Sequence, residues 1–288
     1  MIRSTVVASA FFAAFLALAP AFAQKNAPLA ANAALRYWSA FSQIQDDYLS
    51  DPYANQLNAI IDGTAPYDEA KYKDLLEKNK PALEIMAHGT SLPNCDWGLD
   101  YALGDDLPVD YARKALVLGR LNALYSFHLF FAGDYDGGVA ALVAGLRFSR
   151  DIGNGGSLFS TLIAQNLLIA HLRAIDGAIH QGHLSSSQRL RLQNAVAALG
   201  EHGLDWESAM KIEMSLLNKP PWQASIPLEN VTKAYGLALR DPSQLPKLEQ
   251  LLAALPEPLR DVIPQPTKVI EQKQELDDKL AQTAALLR

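Results

Sequence analysis

The chain has 288 residues, 49% hydrophobic and 19% charged, which places it with folded globular proteins long enough to bury a sizeable core. Its 25 Lys and Arg against 31 Asp and Glu give a net charge of −6 and argue against nucleic acid as a partner. A single cysteine, Cys95, excludes an intramolecular disulfide.

The opening MIRSTVVASAFFAAFLALAPAFAQ reads as a signal peptide: a basic start, an apolar run, and Ala21-Phe22-Ala23 as a small-x-small cleavage site. Cleavage after Ala23 leaves a mature chain of about 265 residues beginning at Gln24. With Arg3 removed, 24 basic residues face 31 acidic ones, a net charge near −7. The run from Thr5 to Ala23 is long enough to compete as an uncleaved anchor, but Pro20 and the many alanines favour removal. A periplasmic or secreted location follows. No later stretch reaches the ~18 consecutive apolar residues of a membrane span, so no transmembrane segment is expected after cleavage.

Helical periodicity runs through nearly the whole mature chain, without alternating β-branched runs, and predicts an all-α fold. The first helix is expected over residues 30–49, the next up to Ile61 before Gly63, and a kinked one from Asp68 through Pro81 to Gly89. Asp106 or Asp110 opens a long helix that stops at Gly133, and AGDYDGGVAALVAGLRFSRDIG supplies a tight turn and a second helix. A third long helix over 157–181, apolar around much of its circumference and closed by Gly182, is expected at the centre. One of Ser185, Ser186 and Ser187 caps its successor, and Asp205 caps another that Pro220-Pro221 halt. Beyond it come short helices near 228–239 and 244–254 and a last amphipathic one carrying Leu276, Leu280 and Leu287. These give a helical hairpin domain over 24–218 and a Pro-interrupted C-terminal segment over 219–288 that packs on it or extends from it.

The segment around Gly133-Asp134-Tyr135, with small residues at Gly138 and Gly145, resembles the turn and second helix of a tetratricopeptide repeat over about 34 residues. Asn122 and Ser126 stand where that family has Trp and Gly. The resemblance implies stacked antiparallel hairpins, an α-solenoid-like arrangement whose crossings need small side chains. NAALRYW, PNCDWGLDY and the GDY hairpin together look like a set of uncharacterised, exported, all-helical bacterial proteins over most of residues 32–180. That similarity implies an architecture and no activity.

Among candidate site residues, Cys95 lacks a nearby cation or a signature histidine, and Asp96 beside it raises its pKa. It reads as a loop thiol packed with Trp97, with Trp97 and Tyr101 anchoring a structural loop of Cys95, Asp96, Trp97 and Tyr101. Asp96, Asp100, Asp105 and Asp106 match no calcium loop. Gly182 separates His180 from His183, so a metal site with Asp176 is not expected; no cofactor motif is found. His128 reads as a core histidine bonded to a backbone carbonyl. On the central helix Asn166, Ala170, Arg173, Gly177 and His180 share one stripe about 21 Å long. Asn166, Arg173 and His180 are its binding candidates, with Arg173 available to a ligand carboxylate or paired to Asp176. Glu213 shares a face with Trp206, Met210 and Leu217, with Arg147, Arg150 and Arg173 as candidate partners.

Three functions remain open. The first is a non-catalytic, exported helical-repeat protein binding a protein or peptide on a concave face. The second is a hydrolase using Glu207, Glu213 or Cys95, which needs convergent polar groups. The third is a carrier for an apolar small molecule, which needs an internal cavity.

Overall fold

The computed structural model describes residues 31–45, 51–106, 110–217 and 228–288. The expected signal peptide at 1–23 and the expected Pro220-Pro221 stop lie outside the described residues. Within them the chain is all-α: α1 Ala33–Ser42, α2 Asp51–Ile61, α3 Glu69–Gly89, α4 Asp110–Phe131, α5 Tyr135–Gly153, α6 Leu158–His180, α7 Ser186–Ala197, α8 Trp206–Leu216, α9 Glu229–Arg240, α10 Leu245–Ala253, α11 Glu257–Val262 and α12 Pro266–Leu286.

Acidic side chains cap the starts of several of these helices. Asp68, Asp134 and Asp205 accept from the backbone N–H groups of Lys71, Gly137 and Ser208, satisfying donors that a first turn leaves open. Ser185 and Gln188 form a reciprocal capping box at α7. One expectation is corrected in detail. α1 is shorter than 30–49 because Asn32 caps it through its side-chain oxygen, and beyond it Asn79 holds the backbone by bonding both groups of Gln45, at 2.8 and 3.1 Å. α3 runs through Pro81 to Gly89 as expected, with Leu75, Leu76, Leu83 and Met86 buried along one side.

Two hydrophobic cores result. The first gathers Tyr37, Phe41, Leu76, Met86, Leu118 and Phe148; the second gathers Leu172, Ile175, Trp206, Met210, Tyr235 and Leu276. α5 and α6 serve both, since Phe148 and Leu167 enter the first while Leu142 and Leu168 enter the second. α6 touches α2, α4, α5, α8 and α12. It is long and apolar enough to cross a membrane, and two thirds of its most apolar stretch is buried within the protein. The C-terminal helix lies against it: Gln165 donates to the Gln272 carbonyl at 2.7 Å, and the Asp176 carboxylate accepts from Lys279 Nζ at 2.5 Å and Thr283 Oγ1 at 2.7 Å.

Where α4, α5 and α6 cross, Gly145 lets the backbone of α5 approach closely. A Cβ there would lie 2.1 Å from His171 Nε2 and 2.6 Å from Asn122 Nδ2. His171 is fully buried and bonded at both nitrogens: Nδ1 lies 2.7 Å from the Leu167 carbonyl and Nε2 lies 3.1 Å from Asn122 Nδ2, which also donates to the Ala141 carbonyl. Nδ1 therefore carries the proton and Nε2 accepts, which is the neutral imidazole. Burial lowers its pKa to about 4.

Candidate binding trough along α6

The exposed line of α6 is the stripe read from the sequence. Asn166 and His180 are exposed, and Ala170, Arg173 and Gly177 are half-buried between walls on either side. One wall is α2 and the turn that follows it to Tyr67; the other is α12. Arg173 reaches both, with Nη1 2.5 Å from the Asp62 carboxylate and Nη2 3.7 Å from that of Glu275. Its partners are thus on neighbouring elements, and Asp176 turns instead to Lys279 and Thr283. All three members of the Arg173 cluster are more than a third exposed, so this bridge contributes no more than about 1 kcal/mol.

Two hollows meet at Arg173. The narrower, about 130 Å³, is lined by Asn58, Arg120, Asn166 and Glu275 among others. The wider, about 370 Å³, has Ile60, Tyr67, Phe127, Gly177 and Lys279 in its lining. Phe131, 67% exposed, stands 6.1 Å from the Tyr67 ring and adds to that aromatic end. His180 lines neither hollow; its Nδ1 bonds the Asp176 carbonyl at 2.7 Å. Of the three binding candidates, then, Asn166 and Arg173 are brought together and His180 stands apart at the helix end.

Gly177 is the open point of the floor, since a Cβ there would meet nothing within 4 Å. Gly177→Ala should therefore raise stability by about 0.5–1 kcal/mol, the helix-propensity gain undiminished by any clash. Urea unfolding checks it, and a loss of stability would mean that the site is not open.

Arg120 was missed from the sequence. It belongs to the apolar run ALVLGRLNAL, and a lone cation on a buried helix is the signal that could have pointed to it. In the structure it is half-buried, and no described residue offers it a hydrogen bond or an ion pair. Burial alone lowers its pKa.

The two carboxylates considered for hydrolysis have separate partners. Glu207 holds Arg240 through both oxygens, at 3.0 and 2.9 Å, and so ties α8 to α9. Glu213 accepts from the Leu158 backbone N–H at 3.2 Å, supplying at the start of α6 the cap that the Ser157 hydroxyl does not make. Burial raises its pKa, and that hydrogen bond partly offsets the rise. This corrects the expected arginine partner: Arg147 instead donates to the Leu92 carbonyl, and Arg150 to that of Ala198.

The Cys95 loop is fastened to α1 and α5. Asn32 bonds both backbone groups of Asp96, and Trp97 Nε1 donates to the Asp151 carbonyl at 2.8 Å. The Trp97 ring stacks on Tyr111 at 4.3 Å and on Tyr37 and Phe41, while the Tyr101 hydroxyl donates to the Gly155 carbonyl. Cys95, Arg150, Asp151 and His202 line a hollow of about 460 Å³. Burial, then Asp151 and Asp96, push the Cys95 thiol up, and its Sγ lies 3.7 Å from the Asp151 carbonyl. Native protein at pH 7 should accordingly resist an alkylating reagent that labels the unfolded form; labelling both at one rate would show that the packing around Cys95 does not suppress its thiolate.

Asp96 and Asp100 accept the backbone N–H groups of Gly98 and Ala102, which is local turn chemistry. His128 is bonded to the Glu69 carboxylate at 2.9 Å and not to a backbone carbonyl, because α3 brings that carboxylate against α4. Among the described residues no cluster of three metal-ligating side chains is formed.

No protein-family model matches the chain, and no curated protein or solved structure is significantly similar to it. The geometry alone therefore carries the functional reading.

Proposed function

We propose that the protein is an exported, non-catalytic binding protein of stacked tetratricopeptide-like hairpins, which takes an extended segment of another protein or a peptide along the α6 trough. The observation that carries this reading is the open floor at Gly177, between an aromatic end and a polar end. Asn166 to Gln181 spans about 22 Å of helix, the length of roughly six extended residues. Support for the hairpin reading comes from Gly138 and Gly145, where an added Cβ would meet Phe130 at 2.4 Å and His171 at 2.1 Å. Both are positions at which the repeat resemblance calls for small residues.

The test is retention of a randomised hexapeptide pool by the immobilised protein. Wild type should retain a defined subset, and Gly177→Phe, which fills the floor without touching the core, should retain it at least tenfold less. Circular dichroism verifies that the variant is folded. Equal retention by a folded Gly177→Phe would remove the trough as the binding surface.

A further inference from the structure

The guanidinium at the narrow end of the trough, which no described residue pairs, gives the ligand a chemical identity. Arg120 projects from α4 into the hollow that Asn166 and Arg173 also line. The two acidic groups there, Asp62 and Glu275, are both engaged by Arg173, which leaves Arg120 as the cation without a counter-charge among the described residues. A half-buried charge held in this state is a cost to the folded protein that binding of an anion would relieve. A hollow of about 130 Å³ admits a carboxylate and the few atoms attached to it, and the planar guanidinium matches a carboxylate through two parallel hydrogen bonds.

We propose that Arg120 is the anchor of the trough and receives a carboxylate of the bound peptide, which then runs past Arg173 towards the aromatic end at Tyr67 and Phe127. This rests on the trough being the binding surface. The carboxylate has two possible sources, the peptide's own C-terminus or an Asp or Glu within it, and the experiment separates them.

Two randomised hexapeptide pools, one with free C-terminal carboxylates and one amidated, are passed over wild type, Arg120→Gln and Gly177→Phe. A third pool omits Asp and Glu from the free-acid set. Retention of both free-acid pools at least tenfold above the amidated one, lost in Arg120→Gln, identifies the peptide terminus. Retention of both Asp- and Glu-containing pools, amidated or not, with loss of the pool lacking them and loss in Arg120→Gln, identifies an acidic residue within the peptide. Retention indifferent to amidation, to acidic residues and to Arg120→Gln, yet lost in Gly177→Phe, overturns the anchor and leaves the trough standing. No retention by wild type counts against both. A second reading needs no peptide: without its counter-anion Arg120 strains the fold, so Arg120→Met should raise the melting temperature by roughly 2 °C or more. A melting temperature that falls would show that Arg120 is a structural residue and overturn the assignment.

Discussion

Gly145→Ala is expected to lower stability by about 3 kcal/mol and the melting temperature by roughly 6–12 °C. The added methyl would have to occupy space already held by His171 Nε2 and Asn122 Nδ2. Neither atom can withdraw freely, because each is fixed by a second buried bond, Asn122 to Ala141 and His171 to Leu167. Overpacking of a tight core costs about 1–3 kcal/mol, and pulling a buried polar group off its partner costs a similar amount. Only about 0.5–1 kcal/mol returns from the better helix propensity of alanine. Gly177→Ala provides the contrast in one protein, since the same chemical change on α6 meets open space. Chemical denaturation of the two variants beside wild type measures the difference. A Gly145→Ala protein as stable as wild type would mean that α5 and α6 do not cross so closely.

The same histidine makes stability depend on pH. Its pKa is about 4 in the folded protein, against the ordinary 6.5 that it regains on unfolding. As the pH falls, the unfolded form takes up this proton first, so the contribution of His171 is fully present above about pH 6.5 and is lost as the pH falls towards 4. The slope reaches about 1.4 kcal/mol per pH unit, and the whole loss amounts to roughly 3 kcal/mol. Asp151 and Glu213, whose pKa values burial raises, act in the opposite sense at the acid end of this interval. The measurement is therefore a comparison of slopes: urea unfolding at several pH values from 7 to 4.5, wild type against His171→Gln. The variant should show a flatter dependence whatever its absolute stability. Parallel curves would mean that the imidazole is accessible to protons in the native state.

Much of the helical order is legible in the sequence because local chemistry dictates it. Asp68, Asp134, Ser185 and Asp205 each accept a backbone N–H at a helix start, and Gly63, Gly133 and Gly182 take positive φ just past helix ends. The stripe on α6 is legible for a related reason: a helix apolar on most sides leaves few positions for Asn166 and Arg173 except the outer one. What escapes a linear reading is partnership across the fold. Arg173 meets Asp62 and Glu275, 111 and 102 positions away, and no local signal pairs them. Glu213 caps a helix that begins 55 residues earlier. His171 sits among leucines and isoleucines with nothing nearby in sequence to announce that Asn122 would complete its hydrogen bonding. α11, six residues long with Pro256 just before it and Pro258 in its first turn, is too short to show periodicity.

The attachment of α12 to α6 bears on the order in which the molecule can be completed. Asp176 is buried, yet the two side chains that satisfy it, Lys279 and Thr283, come from α12, 103 and 107 residues further along the chain, and the backbone carbonyl that accepts from Gln165 is a little ahead of them. During synthesis those groups emerge long after α6, so α6 reaches its final environment only once α12 has been made and has docked. Loss of α12 would consequently disturb α6 and the centre of the fold.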